Sequence, residues 1–266
     1  MTPEVTVTEE DIRNNGFSES KLQHAANIYN ENGCLIINNI FSKEFIDSLR
    51  DSYIKQYKKY FIEREHSNAL RVGDKRYMIT VKLATPFNTP KLYANPFFYE
   101  LIKGLLGDGC ILQALGSVTS LPGSEEQHWH RDHPPLFYDT NIDPYLPSYA
   151  ITVIIPLIDL NELSGTTAMM LKSHRFPRGR IPNSGVEIIH PEVPVGSCLL
   201  FDYNIRHAGQ ANNSSELRPV LYNSYSRPWF RDHSNFKRQY SLVVGEKEIK
   251  KVPEEYMHLF KFAHID

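Results

Sequence analysis

Residues 149–158 read YAITVIIPLI, an uncharged run rich in β-branched side chains. Such a run favours a buried β-strand, because β-branched residues pack well on a pleated surface. Five more strand-like runs flank it: CILQALGSVTS (110–120), QHWHRD (127–132), GTTAMML (165–171), GSCLLFD (196–202) and RPVLYNSYS (218–226). Turn sequences separate the runs: LPGSEE, NELSG, PRGRIPNSG and ANNSSEL. Many short strands divided by such turns predict a sandwich or a barrel.

The residues before Cys110 have helical rather than strand character. Ser18, Ser42 and Asn95 are each predicted to cap a helix, and CLIIN (34–38) is predicted to be a short buried strand. We therefore expect one domain over residues 1–266. Its predicted parts are a helical layer at about 18–107, a β core at about 108–230 and a C-terminal extension at 231–266 that ends in a helix.

Composition limits the classes of function. The chain has 266 residues, with 41% hydrophobic and 23% charged residues, as expected of a globular protein with a core. Its formal net charge of −2 offers no general attraction to nucleic acid or to anionic membranes. The N-terminus, MTPEVTVTEEDIRNNG, is polar and acidic, which predicts no secretory signal. Cys34, Cys110 and Cys198 are scattered in apolar segments, so we expect buried thiols and a soluble, cytoplasmic protein.

The segment EEQHWHRDHPP (125–135) is unusually rich in metal-binding side chains. Residues two apart in a strand point the same way, so His128, His130 and Asp132 share one face and His133 lies on the other. A histidine and a carboxylate on one face suit iron(II), which binds well to two imidazoles and one carboxylate. A surface histidine paired with an aspartate is the alternative. A second histidine must come from elsewhere in the chain.

The best candidate for that second histidine is His207 in FDYNIRHAGQANN, because it follows an apolar strand and precedes a polar turn. His174 in LKSHRF competes with it. Arg218 heads a strand face that is otherwise apolar, aromatic and hydroxyl-bearing. A buried arginine needs a carboxylate or phosphate partner, and a bound dicarboxylate would provide one.

Longer motifs resemble the phytanoyl-CoA dioxygenase family of iron(II)- and 2-oxoglutarate-dependent oxygenases. These are QHWHRD, ITVIIPLIDLNELSGTTAMMLKSHR (151–175) and GSCLLFDYNIRHAGQANNSSELRP (196–219), in the order of that family. The segment NENGCLIINNIFSKEFIDSLR (30–50) is similar to its N-terminal region. The resemblance implies a double-stranded β-helix, or jelly roll, flanked by helices.

The resemblance also implies roles for individual residues. His130, Asp132 and His207 are expected to be the iron ligands and the catalytic centre, and Arg218 is expected to pair with the far carboxylate of 2-oxoglutarate. His174 falls in the KSHR turn and is expected to be structural. The implied cofactors are Fe(II), 2-oxoglutarate and O2. Related halogenases have a small residue at the position of Asp132, so this carboxylate predicts hydroxylation or a related C–H oxidation.

Three other side chains are predicted to contact the cosubstrate or substrate. Gln113 is predicted to hydrogen-bond either molecule, unless it lies on a solvated strand face. Thr167 is predicted to contact the cosubstrate carboxylate, although threonine is also a good strand former. Gln127 adjoins the metal motif and is predicted to support its ligands.

The walls of the pocket are predicted less directly. The loop 138–147 and the segment 66–95 are expected to shape it. Tyr225, Trp229 and Phe230 are candidates for a hydrophobic wall, with ordinary core packing as the alternative. Lys75, Arg76 and Lys82 are expected to be solvated rather than to bind an anionic substrate.

The substrate is expected to be a small, partly apolar molecule such as a secondary metabolite or a lipid-derived acid. Three other classes of protein compete with the oxygenase. A cupin would use the His128–His130 pair but needs a glutamate that RDHPP lacks. A zinc hydrolase leaves Arg218 unexplained, and a non-catalytic jelly roll is disfavoured because Asp132, His207 and Arg218 are all present.

Overall fold

The computed structural model describes residues 2–61, 69–138, 140–177 and 185–266. The α-helices of this part are α1 (Glu9–Arg13), α2 (Glu19–Asn32), α3 (Lys43–Tyr57), α4 (Pro90–Tyr93), α5 (Pro96–Leu106) and α6 (Glu246–Ile249). Its strands are β1 (Glu4–Thr6), β2 (Cys34–Asn38), β3 (Ala69–Arg71), β4 (Arg76–Thr80), β5 (Ile111–Ser120), β6 (Ala150–Pro156), β7 (Thr167–Met170), β8 (Ile188–Ile189), β9 (Cys198–Asp202), β10 (Arg206–Gly209), β11 (Arg218–Ser226), β12 (Val243–Val244) and β13 (His264–Ile265). Its 3₁₀ helices are Lys58–Phe61, Asp143–Tyr145, Ser173–Arg175 and Glu254–Phe260.

The predicted helix starts are confirmed by their caps. The side-chain oxygens of Ser18, Ser42 and Asn95 accept hydrogen bonds from backbone N–H groups in the first turn of α2, α3 and α5, at 3.3, 3.2 and 3.1 Å. These contacts satisfy donors that a helix leaves without partners at its N-terminus. Gly33 ends α2 with a φ of +80°, a conformation that favours glycine.

Two sheets form the jelly-roll core. The larger has eight strands in the order β1-β2-β9-β6-β11-β5-β4-β3, and the smaller has the order β10-β7-β8. All neighbours in both sheets are antiparallel except β1 and β2. Apolar side chains of both sheets meet in one buried cluster that includes Ile154, Met169 and Val220. The mainly β fold with flanking helices is therefore confirmed.

The other face of the larger sheet packs against the helices. Alternate residues of β11 divide between the two sides: Val220 and Tyr222 join the cluster between the sheets, whereas Leu221 and Tyr225 join the core beneath the helices. This alternation follows from the two-residue period of a strand. It directs one face of β11 toward the space between the sheets.

Three predicted elements differ in the structure. QHWHRD is not a regular strand, because His130 and His207 form only an isolated bridge. The backbone N–H of Gln127 donates to the carbonyl oxygen of Gly209. Gln127 is three residues from His130, but Gly209 is only two residues from His207, so the hydrogen bonds do not form a regular ladder. The C-terminal helix is a 3₁₀ helix, Glu254–Phe260. The predicted strand CLIIN (34–38) is confirmed as β2, but the predicted helical layer also supplies β3 and β4 to the larger sheet. The boundaries of this layer with the β core and the extension remain a prediction.

The burial of the three cysteines agrees with the expectation from composition. Cys34, Cys110 and Cys198 are buried and form no disulfide within the described residues. Across the described ranges, no helix is long and apolar enough to span a membrane.

Candidate metal centre

A cavity of about 660 Å³ lies between the two sheets. Its wall includes side chains of β4, β6, β7, β9, β10 and β11, together with parts of the segments 71–78, 125–132 and 232–236. The three residues His130, Asp132 and His207 all line it.

These three side chains form a possible metal-binding group. One potential ligand atom from each lies within 4.8 Å of the others. Nε2 of His207 is 3.4 Å from Oδ1 of Asp132, and the two imidazole centroids are 4.3 Å apart. Two backbone hydrogen bonds of 3.0 Å between His130 and His207 fix their spacing.

Both imidazoles are oriented by the backbone. Nδ1 of His130 is 2.9 Å from the carbonyl oxygen of His128, and Nδ1 of His207 is 3.2 Å from that of Ile205. A carbonyl oxygen only accepts, so each Nδ1 carries a hydrogen, and each Nε2 offers a lone pair to a metal when its ring is neutral. The hydroxyl of Thr152 donates to Oδ2 of Asp132 at 3.1 Å and holds that carboxylate in place.

The protonation states of His130 and Asp132 suit a cation, whereas that of His207 depends more on pH. Burial, reinforced by the neighbouring His207, lowers the pKa of His130 to about 4, so this imidazole is neutral at pH 7. Burial acts to raise the pKa of Asp132, but the His207 imidazole outweighs it and holds this pKa below its usual value. Burial acts to lower the pKa of His207, but Asp132 outweighs it and raises that pKa.

The other nearby histidines lie outside this group. His128 is exposed at the edge of the cavity, with its ring centroid 5.4 Å from that of His130. His133 packs edge-on against Phe230 with ring centroids 5.0 Å apart. His174 is buried beside α2, where its Nε2 is 3.1 Å from the carbonyl oxygen of Asn30. The structure therefore separates His174 from the ligands, as the KSHR resemblance implied.

Two buried arginines lie at another part of the cavity wall. Arg218 is 6% exposed and Arg76 is 1% exposed. Both donate to the hydroxyl oxygen of Ser120 at 2.7 Å, and both donate to the carbonyl oxygen of Gln210, at 3.1 Å from Arg218 and 2.8 Å from Arg76. Among the described residues, no carboxylate lies within ion-pair distance of either guanidinium.

The charged forms of Arg76 and Arg218 are disfavoured by burial and by their proximity. Burial, together with the charge of Arg76, lowers the pKa of Arg218 to about 9. Burial lowers the pKa of Arg76 to about 10. Buried guanidinium groups are usually paired with an acid. This pair therefore presents uncompensated positive charge to the cavity.

Sequence reasoning missed Arg76, because the expectation that it is solvated is wrong. The signal was the alternation in RYMIT: Arg76 and Met78 lie on the same face of β4, and both line the cavity. The polar sequence VGDK directly before this strand made the whole segment look solvated.

The three secondary predictions have different outcomes. Gln127 and Thr167 line the cavity, but their roles remain predictions. The amide of Gln127 bridges two walls, donating to the carbonyl of Val72 at 2.7 Å and accepting from Gly209 N–H at 3.1 Å. Gln113 is buried outside the cavity wall, where the pairing of β5 with β11 shifts by one residue, so the geometry does not support a cosubstrate contact.

The predicted aromatic wall is wrong. Tyr225 lies beneath the helices, Trp229 is exposed, and Phe230 packs against Tyr149. None of these residues, and no described residue of the loop 138–147, lines the cavity. The aromatic residues that do line it are Phe201, Tyr203, Tyr222 and Phe236.

Part of the predicted segment 66–95 does shape the cavity, through residues 71–78, whereas 66–68 lie outside the described residues. The contribution of Asp232, Asn235 and Phe236 from the C-terminal extension was not predicted.

Comparison with known proteins assigns the class. The family model for phytanoyl-CoA dioxygenase (PhyH) matches residues 29–220, which is more than half of the chain. The chain therefore belongs to the PhyH family.

Individual relatives are distant. The chain is 25% identical to the iron/alpha-ketoglutarate-dependent dioxygenase ausO of Aspergillus calidoustus over 172 residues, which are 57% of this chain and 56% of ausO. It is 23% identical to the dioxygenase olcK of Penicillium canescens over 203 residues, 73% of this chain and 67% of olcK. The matched region thus spans little more than half of ausO and about two thirds of olcK.

Solved structures share the fold. The non-heme alpha-ketoglutarate-dependent epimerase SnoN from nogalamycin biosynthesis superimposes with a TM-score of 0.60 at 14% identity, covering 83% of this chain and 87% of SnoN. HygX from Streptomyces hygroscopicus, solved with nickel and 2-oxoglutarate bound, gives 0.58 at 15% identity, covering 82% of this chain and 90% of HygX. At these identities the likeness concerns the fold.

Proposed function

We propose that this protein is an iron(II)- and 2-oxoglutarate-dependent oxygenase that hydroxylates a small molecule. The observation that carries the proposal is the presence, in one cavity, of two oriented imidazoles and a carboxylate beside two buried arginines without an acid partner. The first group suits a divalent metal, and the second suits a dicarboxylate.

The metal-binding group fits iron(II). His130, Asp132 and His207 would hold it through two Nε2 atoms and one carboxylate oxygen. Three protein ligands leave further coordination positions for other molecules, as in non-heme iron oxygenases. Iron with 2-oxoglutarate and O2 supplies the oxidising power, through decarboxylation of 2-oxoglutarate to succinate.

The chain itself supplies binding and orientation. Arg218 and Arg76 would bind the far carboxylate of 2-oxoglutarate, which relieves the repulsion between their buried charges. The carbonyls behind His130 and His207 keep both rings in the metal-binding tautomer. Asp132 keeps a carboxylate on the metal, which supports hydroxylation rather than halide transfer.

The substrate class is also proposed. Apolar and aromatic residues such as Met78, Phe201 and Phe236 line a cavity of about 660 Å³, a size that suits a small, partly apolar molecule. A location in the cytoplasm is proposed from the buried thiols.

Anaerobic titration with iron(II) and 2-oxoglutarate tests the proposal. The wild-type protein is expected to develop a visible charge-transfer band. His207→Ala should lose it, and Arg218→Ala and Arg76→Ala should each weaken 2-oxoglutarate binding about 10–100-fold, because each removes a charge-assisted hydrogen-bond donor. Lys75→Ala, next to Arg76 but outside the cavity wall, is the control and should bind normally. A wild-type protein without the band contradicts the proposal.

The competing classes make different predictions. A cupin-type site would need His128, which lies outside the three-residue group. A zinc hydrolase would be active with zinc and without oxygen, whereas the proposed enzyme should release succinate only with iron(II), 2-oxoglutarate and O2.

A further inference from the structure

The turn Asp232–Phe236 lies beyond the region that matches the PhyH family, yet it closes one side of the cavity. The Nδ2 group of Asn235 donates to the backbone carbonyl of Asp132 at 2.7 Å and to Oδ2 of Asp232 at 2.8 Å. These bonds hold the turn directly beside a proposed iron ligand. Asp232, Asn235 and Phe236 of this turn line the same cavity as the proposed ligands.

Asp232 places a carboxylate in this wall. The residue is 3% exposed, and its carboxylate accepts from the backbone N–H groups of Ser234 and Asn235 at 2.9 and 3.0 Å. In the described ranges, no lysine, arginine or histidine lies within ion-pair distance of it. A buried carboxylate normally has a cation or strong donors around it. Its three donors leave acceptor capacity for one more.

Tyr222 adds a second polar group to the same cavity wall. Its hydroxyl is buried and has no hydrogen-bond partner within the part of the chain that is described. The phenol end lies over Gly116, where a Cβ would come within 2.5 Å of the hydroxyl oxygen, so only glycine leaves room for it. Burial raises the pKa of Tyr222, and this residue lines the same cavity as Asp132 and Asp232.

The cations nearest this part of the cavity bind groups other than Asp232. Arg71 is held by Asp74 at 3.2 Å. The guanidinium of Arg131 donates to the backbone carbonyls of Asn204 and Ser173, at 2.6 and 2.9 Å. The cavity thus carries the Arg76–Arg218 pair in one part of its wall and the carboxylates of Asp132 and Asp232 in another.

We propose that the wall formed by Asp232, Tyr222 and Phe236 selects a substrate that carries a hydroxyl or ammonium group on an apolar body, and that it disfavours a carboxylate. Asp232 accepts the hydrogen bond of that group, and Phe236 packs against the apolar body. This inference rests on the proposed oxygenase function. It narrows the expected substrates, because it argues against a lipid-derived acid.

Three probes with one apolar body test the selection: 1-adamantanamine, 1-adamantanol and adamantane-1-carboxylate. Their binding is measured anaerobically by calorimetry and by the change in the charge-transfer band, with saturating iron(II) and 2-oxoglutarate so that the arginine pair is occupied. The amine and the alcohol should bind at least about tenfold more tightly than the carboxylate, because a charge-assisted hydrogen bond forms only with a donor.

Variants then assign the effect. Asp232→Asn keeps an oxygen that accepts from the backbone N–H groups of Ser234 and Asn235, but it loses the charge and the second oxygen, which accepts from Nδ2 of Asn235. It should weaken amine binding about tenfold and remove the bias against the carboxylate. Tyr222→Phe should weaken binding of the alcohol. Glu126→Gln, which changes an exposed acid at the edge of the cavity, is the matched control and should change little.

The possible failures are distinguishable. If iron(II) and 2-oxoglutarate give no band before any probe is added, the oxygenase function fails. If the band forms but the carboxylate binds as well as the amine, or none of the probes binds, or Asp232→Asn leaves the order unchanged, the inference about Asp232 is overturned while the function stands.

Discussion

At the residue scale, the two proposed histidine ligands differ in how readily they take up a proton. Burial and His207 lower the pKa of His130 to about 4, whereas Asp132 outweighs burial and raises the pKa of His207. The nearby carboxylate accounts for the raised pKa of His207, because Asp132 Oδ1 is 3.4 Å from its Nε2. Below the raised pKa of His207, a metal must therefore displace a proton from this residue, whereas it finds His130 already neutral at pH 7.

This difference predicts the pH dependence of metal binding. Above about pH 5, only His207 competes with the metal for a proton, so iron(II) affinity should rise about tenfold per pH unit and level off above the raised pKa of His207. Anaerobic calorimetry in buffers of different ionisation enthalpy should then show release of about one proton. A hundredfold rise per unit would mean that His130 is protonated as well. His128→Ala, at the edge of the cavity, should leave the slope unchanged.

Arg76 shows how a residue can reach the cavity without lying in a recognisable sequence motif. Arg218 follows the resemblance, but Arg76 comes from a hairpin that is distant in sequence and meets Arg218 only because β4 and β11 both pair with β5. Arg76 and Arg218 are both partners of the Ser120 position in those two pairings. Neighbouring strands thus bring two like charges to one hydroxyl.

At the element scale, the C-terminal end of α2 packs closely against the Ser173–Arg175 turn, at Gly33 and His174. Gly33 has a φ of +80°, and a Cβ there would lie 2.4 Å from Nδ1 of His174. The following residue, Cys34, begins β2, so this contact sets where the strand enters the larger sheet. The histidine of the KSHR turn therefore has a packing role.

Gly33→Ala should lower the free energy of unfolding by about 2–4 kcal/mol, because it adds both backbone strain and a steric clash. Chemical denaturation measures the loss. Combining it with His174→Ala should cost less than the sum of the two single changes, since the clash is then absent. Gly16→Ala is the matched control, because a Cβ there meets nothing within 4 Å. Additive costs for Gly33→Ala and His174→Ala would contradict the proposed contact.

Elements with strong local signals were predictable, and those defined by contacts distant in sequence were not. Ser18, Ser42 and Asn95 cap helices through bonds within three residues of themselves, so the sequence reveals them. The QHWHRD segment contains two of the three proposed ligands, His130 and Asp132, but its irregular pairing depends on where β10 lies. Asp232 follows the last strand of the core in a polar stretch, and nothing local indicates that this turn folds back against Asp132.

At the scale of the whole molecule, one cavity joins distant parts of the chain. Arg76 comes from the N-terminal half of the chain, and His130 and Asp132 come from its middle. Arg218 lies in β11, and Asn235 lies in the C-terminal extension. Ligands that bind only this assembled arrangement stabilise the whole fold rather than one element. The repulsion between the buried Arg76 and Arg218 guanidinium groups is relieved by a bound carboxylate. Binding of a dicarboxylate should therefore stabilise the fold strongly.

Thermal unfolding measures this coupling. At about 100 times its dissociation constant, 2-oxoglutarate should add about 2.7 kcal/mol and raise Tm by roughly 5–10 °C in the presence of iron(II) without oxygen. The control ligand is 2-oxopentanoate, which has the same chain length and 2-oxo acid group but no far carboxylate; it should give a much smaller shift at the same concentration. In Arg218→Ala the two ligands should become nearly equivalent, because the partner of the far carboxylate is lost. Equal shifts in the wild-type protein would show that the arginine pair does not bind that carboxylate, even if the metal site is occupied.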